Sequence, residues 1–385
     1  MIYLDNAATS WPKPESVLEA TSRCLRDVGA SSGRSAHRWA QQAERIRLDA
    51  REAVAELFGV SDPMRVVFTL NATTAINIVL FGLLRAGDDV VTSDMEHNAV
   101  ARPLHALAER GVSVSVVPCG LDGALDAGAV EQHLRPNTRL VVINHASNVC
   151  GTVQPVREIA ARLRPRGIPM LVDAAQTGGC WPVDLATDGI DLLAFSGHKG
   201  LLGPTGVGGL AIADGFDVGF LPPLVYGGTG SRSDEEIQPD VLPDKYEAGT
   251  PNLVGLAGLA ASVRYVLGRG VREIREHEQR VTRRLLNGLA EIPGLRVFGA
   301  GDHERQTAVV AFTTEACSVS DAASRLDEDF GILCRAGLHC APHAHRTLGT
   351  FPHGAIRFSA GAFTTIGDAE HALKAVAHLA AMRHG

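Results

Sequence analysis

The sequence predicts an α/β protein: a large domain on a mostly parallel seven-stranded sheet, with a smaller α+β domain after it. Two observations carry this. Short apolar, β-branched runs alternate with stretches of helical periodicity through the first two-thirds of the chain. The runs are almost continuously apolar rather than alternating, as expected of strands covered on both faces. Strands that alternate with helices pair in parallel through crossovers.

Seven runs predict strands: Val66–Leu70, Asp89–Ser93, Ser113–Pro118, Leu140–Ala146, Met170–Asp173, Leu192–Ser196 and Gly208–Ala213. Helical stretches such as Thr74–Leu84, Ala99–Arg110 and Val156–Arg164 lie between them. Residues 219–255 then form a Gly/Pro-rich stretch containing Pro222-Pro223 and Gly227-Gly228-Thr229-Gly230. It is long for an interior connection, which makes it functional or an inter-subunit arm. A helical pattern from Leu256 to Leu289, broken near Gly268-Arg269-Gly270, opens the remainder. A strand at Ala308–Thr313, a helix at Val319–Phe330, a Cys-bearing loop, a strand at Ala355–Ser359 and a helix at Asp368–Met382 complete it. We therefore expect an N-terminal segment 1–15 near the active site, a large domain 16–255 and a small domain 256–385.

Composition removes several function classes. The 385 residues are 45% hydrophobic and 21% charged, an ordinary globular balance that excludes wholesale disorder. With 36 Lys and Arg against 43 Asp and Glu, the net charge is −7. A protein gripping nucleic acid or an anionic membrane shows a basic surplus instead, so neither is an expected partner. No run reaches the 18 apolar residues of a membrane span, and Met1-Ile2-Tyr3-Leu4 has no basic head or apolar signal segment. Seven scattered cysteines without a Cys-x-x-Cys pair are neither a disulfide scaffold nor a zinc ribbon. The expected address is a reducing cytoplasm.

Two constellations carry chemistry. Leu171-Val172-Asp173-Ala174-Ala175-Gln176 is an apolar strand ending in an acid, and ligands of open α/β sheets sit at such strand ends. The same Asp could simply cap the next helix. Phe195-Ser196-Gly197-His198-Lys199-Gly200 ends another strand with a hydroxyl, an imidazole and an amine. A lysine there suits a Schiff base with an aldehyde cofactor, and beside Gly-rich backbone it equally suits a phosphate. The Walker spacing is absent. Taken together, the acid and the lysine one βα unit later are the layout pyridoxal phosphate needs. The acid keeps the pyridine nitrogen protonated and the lysine holds the aldehyde.

With these motifs the chain resembles the cysteine desulfurases, within the class V aminotransferase group of fold-type I pyridoxal phosphate enzymes. Four stretches carry the resemblance: Tyr3-Leu4-Asp5-Asn6-Ala7-Ala8-Thr9, Val172-Asp173-Ala174-Ala175-Gln176, Ser196-Gly197-His198-Lys199 and Arg335-Ala336-Gly337-Leu338-His339-Cys340-Ala341-Pro342. The last resembles the subgroup with a short cysteine loop, which includes selenocysteine lyase-like members.

The resemblance implies roles residue by residue. Lys199 is similar to the Schiff-base lysine, Asp173 to the partner of the ring nitrogen, and Gln176 to that of the ring hydroxyl. His97 resembles the imidazole stacked on the ring. Ala72 and Thr73, at a helix start, with Ser196 and His198, match the phosphate site, and a helix start favours an anion in any case. Asn148 resembles the residue beside ring hydroxyl and substrate carboxylate, and Arg357 the carboxylate clamp, a task that suits a guanidinium. Thr250, in Tyr246-Glu247-Ala248-Gly249-Thr250, resembles the threonine offered to the partner subunit's phosphate, which implies a homodimer.

Cys340 is implied as the nucleophile that takes sulfur from L-cysteine, leaving L-alanine and an enzyme persulfide for a sulfur-acceptor protein or small thiol. Selenocysteine lyase or another carbon–sulfur lyase is the alternative on the same framework. The remaining cysteines read as small buried hydrophobes, with Cys334 near enough to consider as a redox partner. His339, Cys340, His343 and His345 crowd together. Pro342 interrupts any helical spacing that would align them, and no metal is expected.

Overall fold

In the computed structural model, which describes residues 1–32 and 37–382, seven strands form the large sheet. Their spatial order is Val66–Thr69, Gly208–Ile212, Leu192–Ser196, Met170–Asp173, Thr138–Asn144, Asp89–Ser93 and Ser113–Val117. Only Gly208–Ile212 runs against the others, so the sheet is mostly parallel as the sequence predicts. The central strands Met170–Asp173 and Leu192–Ser196 are buried at every residue, which is why they read as unbroken apolar runs. One face packs on Phe58, Val54 and Ile159, and the other on Ile76, Leu80 and Leu104.

The carboxyl ends of the parallel strands set the site. Where the chain leaves Val66–Thr69, Asn71 caps the helix Ala72–Leu83, its Oδ1 accepting the N–H of Thr74 at 3.0 Å. After Asp89–Ser93, His97 caps Asn98–Ala108 through Nδ1, which accepts the N–H of Ala99 at 3.0 Å.

The expected long helix is two, Leu253–Arg269 and Val271–Ala290, broken at Gly270, whose φ of +90° glycine adopts without strain. The first still belongs to the large core by packing, with Leu256, Leu259 and Val263 buried there. The second covers the small four-stranded antiparallel sheet, ordered Arg335–Gly337, Ala355–Ser359, Val309–Thr314 and Leu295–Phe298. Residues 383–385 of the expected small domain lie outside the described residues.

The N-terminal segment joins the two parts. Ile2–Tyr3 pairs in parallel with Ile332–Leu333, Leu4 is buried in the small core, and Asp5 bridges to Ser359. A few residues on, the backbone N–H of Ser10 donates to the His198 carbonyl at 2.9 Å. Among the described residues, no helix is long and apolar enough to cross a membrane. All seven cysteines are free.

Candidate active site

Eight of the residues singled out in the sequence line one cavity at the strand ends. They are Ala72, Thr73, His97, Asn148, Asp173, Gln176, Ser196 and Lys199. Thr73 is the second residue of its helix, where no earlier turn supplies an acceptor for its N–H. Ser196 Oγ accepts the N–H of Ala72 at 3.2 Å, fixing the strand end to the helix start.

Electrostatics sharpen the arrangement. Burial pushes the Lys199 amine down to about 8, against the pull of Asp173 and with the push of Arg357 and Arg335. Asp173 is held above the ordinary carboxylate range by burial, opposed by the N–H of Ala175, which donates to its Oδ1 at 2.9 Å, and by Lys199. Burial, then Lys199 and Arg335, hold the His97 imidazole down to about 4. It is therefore neutral at pH 7. Because Nδ1 accepts from Ala99, its proton sits on Nε2. His97 thus caps its helix and lines the cavity at once.

The other four expected residues lie outside the cavity wall. His198 offers its carbonyl to Thr9 Oγ1 and Lys13 Nζ, at 3.1 and 3.0 Å, while its Nδ1 is buried without a partner. Arg357 is buried, donating from Nη2 to Asp5 Oδ1 at 2.6 Å and from Nη1 to the Asn148 carbonyl at 3.0 Å. Among the described residues its Nε–H finds no acceptor. Thr250 is exposed, near the end of the 219–255 stretch.

Cys340 is exposed on a turn between the strand Arg335–Gly337 and the helix Pro342–Thr347. That turn is tied to the cavity rim twice. Asn148 Nδ2 donates to the His339 carbonyl at 2.7 Å, and the N–H of Asn98 to the Cys340 carbonyl at 2.8 Å. The Asn148 amide therefore faces the loop with its nitrogen, leaving Oδ1 buried and unpartnered. Its free atom is an acceptor, which suits a hydroxyl and does not suit a carboxylate.

Three contributors escape the sequence reading. Asp5, quoted only within its motif, is the partner of Arg357. Asn98, beside His97, supplies the N–H that holds the cysteine turn. Glu96 is buried against Ser93 Oγ at 2.7 Å and the Asn144 N–H at 3.0 Å, and burial pushes it up to about 8. Adjacency to His97 was the only signal for the last two.

The aminotransferase class-V family matches residues 2–371. A relative from Methanothermobacter thermautotrophicus named a probable cysteine desulfurase is 39% identical, over 90% of this chain and 86% of its own. Another of that name from Pyrococcus abyssi is 34% identical over 96% and 92%. A solved apo cysteine desulfurase from Thermococcus onnurineus superposes with a TM-score of 0.91 at 32% identity, covering 99% of this chain and 94% of that one. An Escherichia coli cysteine desulfurase in its S-sulfonic acid form gives 0.87 at 28%, covering 99% and 95%.

Proposed function

The chain belongs to the aminotransferase class-V family, and from that premise we propose that it is a pyridoxal 5′-phosphate-dependent cysteine desulfurase. It converts L-cysteine to L-alanine, takes the sulfur onto Cys340 and passes it to an acceptor. The observation that carries this reading is the cysteine turn. A loop bearing an exposed thiol is hydrogen-bonded, through Asn98 and Asn148, to the rim of the cavity that holds Lys199 and Asp173.

The donors and acceptors present fit the cofactor. Asp173 is a buried carboxylate that, among the described residues, accepts from one backbone N–H, a place for a protonated ring nitrogen. The unpartnered Asn148 Oδ1 suits the ring hydroxyl, with Gln176 beside it, and the start of the helix Ala72–Leu83 suits the phosphate. Lys199 is the amine for the aldehyde. When bound, the cofactor supplies an electron-withdrawing ring that weakens the Cα–H bond of an amino acid.

The chain's own residues do the rest. Arg357, braced by Asp5 outside the cavity wall, keeps its Nε–H as a donor for the substrate carboxylate. An amine held near 8 is partly unprotonated at physiological pH, so Lys199 Nζ takes the Cα proton and returns it. The Cys340 thiolate bonds to the substrate sulfur as the carbon–sulfur bond breaks, the bonding pair staying with the carbon fragment, which is protonated to alanine. Incubation with L-cysteine and a reductant should yield alanine and sulfide in equal amounts. Pyruvate in place of alanine would overturn the reading in favour of a β-eliminating lyase.

The protein acts as a homodimer in the cytoplasm. Thr250 lines no part of its own chain's cavity and is exposed, as are Phe220, Tyr226 and Ile237 in the same stretch, at 62%, 68% and 78%. Apolar side chains so exposed along one segment are what a partner subunit covers. Glu247 anchors the end of that stretch, pairing with buried Arg51 and accepting the Phe68 N–H at 2.6 Å, so Thr250 is presented from a fixed base. Sedimentation should show a dimer, and Thr250→Ala should release cofactor more readily without dissociating it. A monomer retaining full cofactor and activity refutes the shared site.

A further inference from the structure

His339 and Cys340 are consecutive non-glycine residues with φ of +48° and +57°. Left-handed backbone is disfavoured for both, and two in succession persist only where the surroundings over-determine them. Asn98 and Asn148 hold the two carbonyls, and neither of these bonds engages a side chain of the turn. The side-chain hold comes from the helix that follows. The His339 ring lies on that of His345, centroids 5.4 Å apart and planes at 28°, with His339 Nδ1 3.3 Å from His345 Nε2. His345 Nδ1 lies 2.7 Å from Thr350 Oγ1, and His339 Nε2 lies 3.5 Å from the Arg335 carbonyl. His339, His345 and Thr350 are all buried.

We propose that His345, oriented by Thr350, is a positioning residue for sulfur transfer, acting through the His339 ring to hold the left-handed turn that presents Cys340. This rests on the desulfurase reading for its catalytic consequence, though not for its geometry. The proton pattern follows from the ends of the chain. The Arg335 carbonyl only accepts, so His339 donates from Nε2 and accepts at Nδ1. His345 then donates from Nε2 and accepts at Nδ1 from the Thr350 hydroxyl. Every polar atom of both rings has a partner in this arrangement of two neutral imidazoles, with the Leu338 backbone a further partner of His345. Burial supports it, pushing His345 down to about 4 and His339 further below its ordinary value. An apolar residue at 345 leaves His339 Nδ1 buried without a donor and frees its ring to turn, releasing the brace on Cys340.

The test uses the holoenzyme and three variants. His345→Leu removes the donor, His345→Gln replaces it because its Nε2 amide reaches the same place, and Thr350→Val removes only the outer bond. The first readout is alkylation of Cys340 by iodoacetamide at fixed pH, which needs no turnover and reports on presentation of the thiol even if L-cysteine proves not to be the substrate. The second is kcat against KM for L-cysteine. A displacement of about 1 Å in a reacting atom costs roughly 100-fold. His345→Leu should therefore lower kcat by about that factor with KM and cofactor absorbance unchanged, and alter the alkylation rate several-fold. His345→Gln should restore both and Thr350→Val should fall between. Should His345→Leu not fold, Thr350→Val and His345→Gln carry the comparison. Wild-type alkylation and kcat in folded His345→Leu, or in Thr350→Val where the former does not fold, overturn the proposal. So does equal damage in His345→Gln and His345→Leu.

Discussion

Lys199→Ala is expected to lose turnover by about a thousandfold or more, the scale of a positioned proton-transfer group, and to lose the yellow colour of a covalently held aldehyde. The strand Leu192–Ser196 and the cap at Ala72 do not depend on its amine, so the fold should survive. Borohydride reduction of the wild type followed by peptide mapping should place the cofactor on Lys199, and labelling of another lysine sinks the assignment. A second effect separates the variant from the wild type in the cofactor-free protein. The folded amine sits at about 8 while the unfolded one keeps its ordinary value of 10.5. Between those values the unfolded chain holds the extra proton, so wild-type stability gains with pH there, and Lys199→Ala lacks that gain. Denaturant titrations at about pH 7.5 and about pH 10.5 should show the difference between the two proteins shifting toward the wild type at the higher pH. A difference independent of pH would mean that the amine is not buried as described.

The large sheet was legible because doubly covered strands leave a continuous apolar signature, and Asp173 and Lys199 stood out because one ends such a strand and the other lies three residues beyond the end of another. What escaped the reading is long-range pairing of short elements. Ile2–Tyr3 forms its strand only against Ile332–Leu333, and a two-residue strand has no periodicity to detect. Asp5 meets Arg357 across the same junction, 352 residues apart in the chain. Locally, the acid looks like a strand end and the arginine like a strand residue, and neither spacing predicts that one braces the other.

The cysteine loop is the opposite case, a strong local signal whose side-chain order the sequence left open. The crowding of His339, His343 and His345 in sequence prompted a comparison with a metal site. In the structure Pro342 starts a short helix, as proline at a first helical position does, and this carries His345 back under His339. Two imidazoles that serve each other as donor and acceptor have little left for a metal. Their ordering was hidden because it depends on Thr350 and on the return of the chain at Gly354. There a side chain would clash with the Gly337 backbone.

Cys340→Ser should separate substrate binding from sulfur transfer. Arg357, Asp173 and Lys199 are untouched, and the two hydrogen bonds that hold the turn are accepted by its backbone carbonyls, so the variant should bind cofactor and respond spectrally to L-cysteine as the wild type does. Alanine formation should nevertheless fall by at least about 100-fold. An ordinary cysteine is a few per cent thiolate at pH 7 and intrinsically nucleophilic, whereas a serine hydroxyl is almost wholly protonated and attacks sulfur poorly. Mass spectrometry of the native protein after L-cysteine should find one added sulfur on the peptide bearing Cys340, removable by reductant. Cys334 should carry none, since burial pushes that thiol up to about 12 and away from reactivity. Release of selenium from selenocysteine should be damaged less, because that atom leaves with less help. Near-native alanine formation from L-cysteine by Cys340→Ser would remove the persulfide step, and a carbon–sulfur lyase that expels its leaving group unaided would take its place.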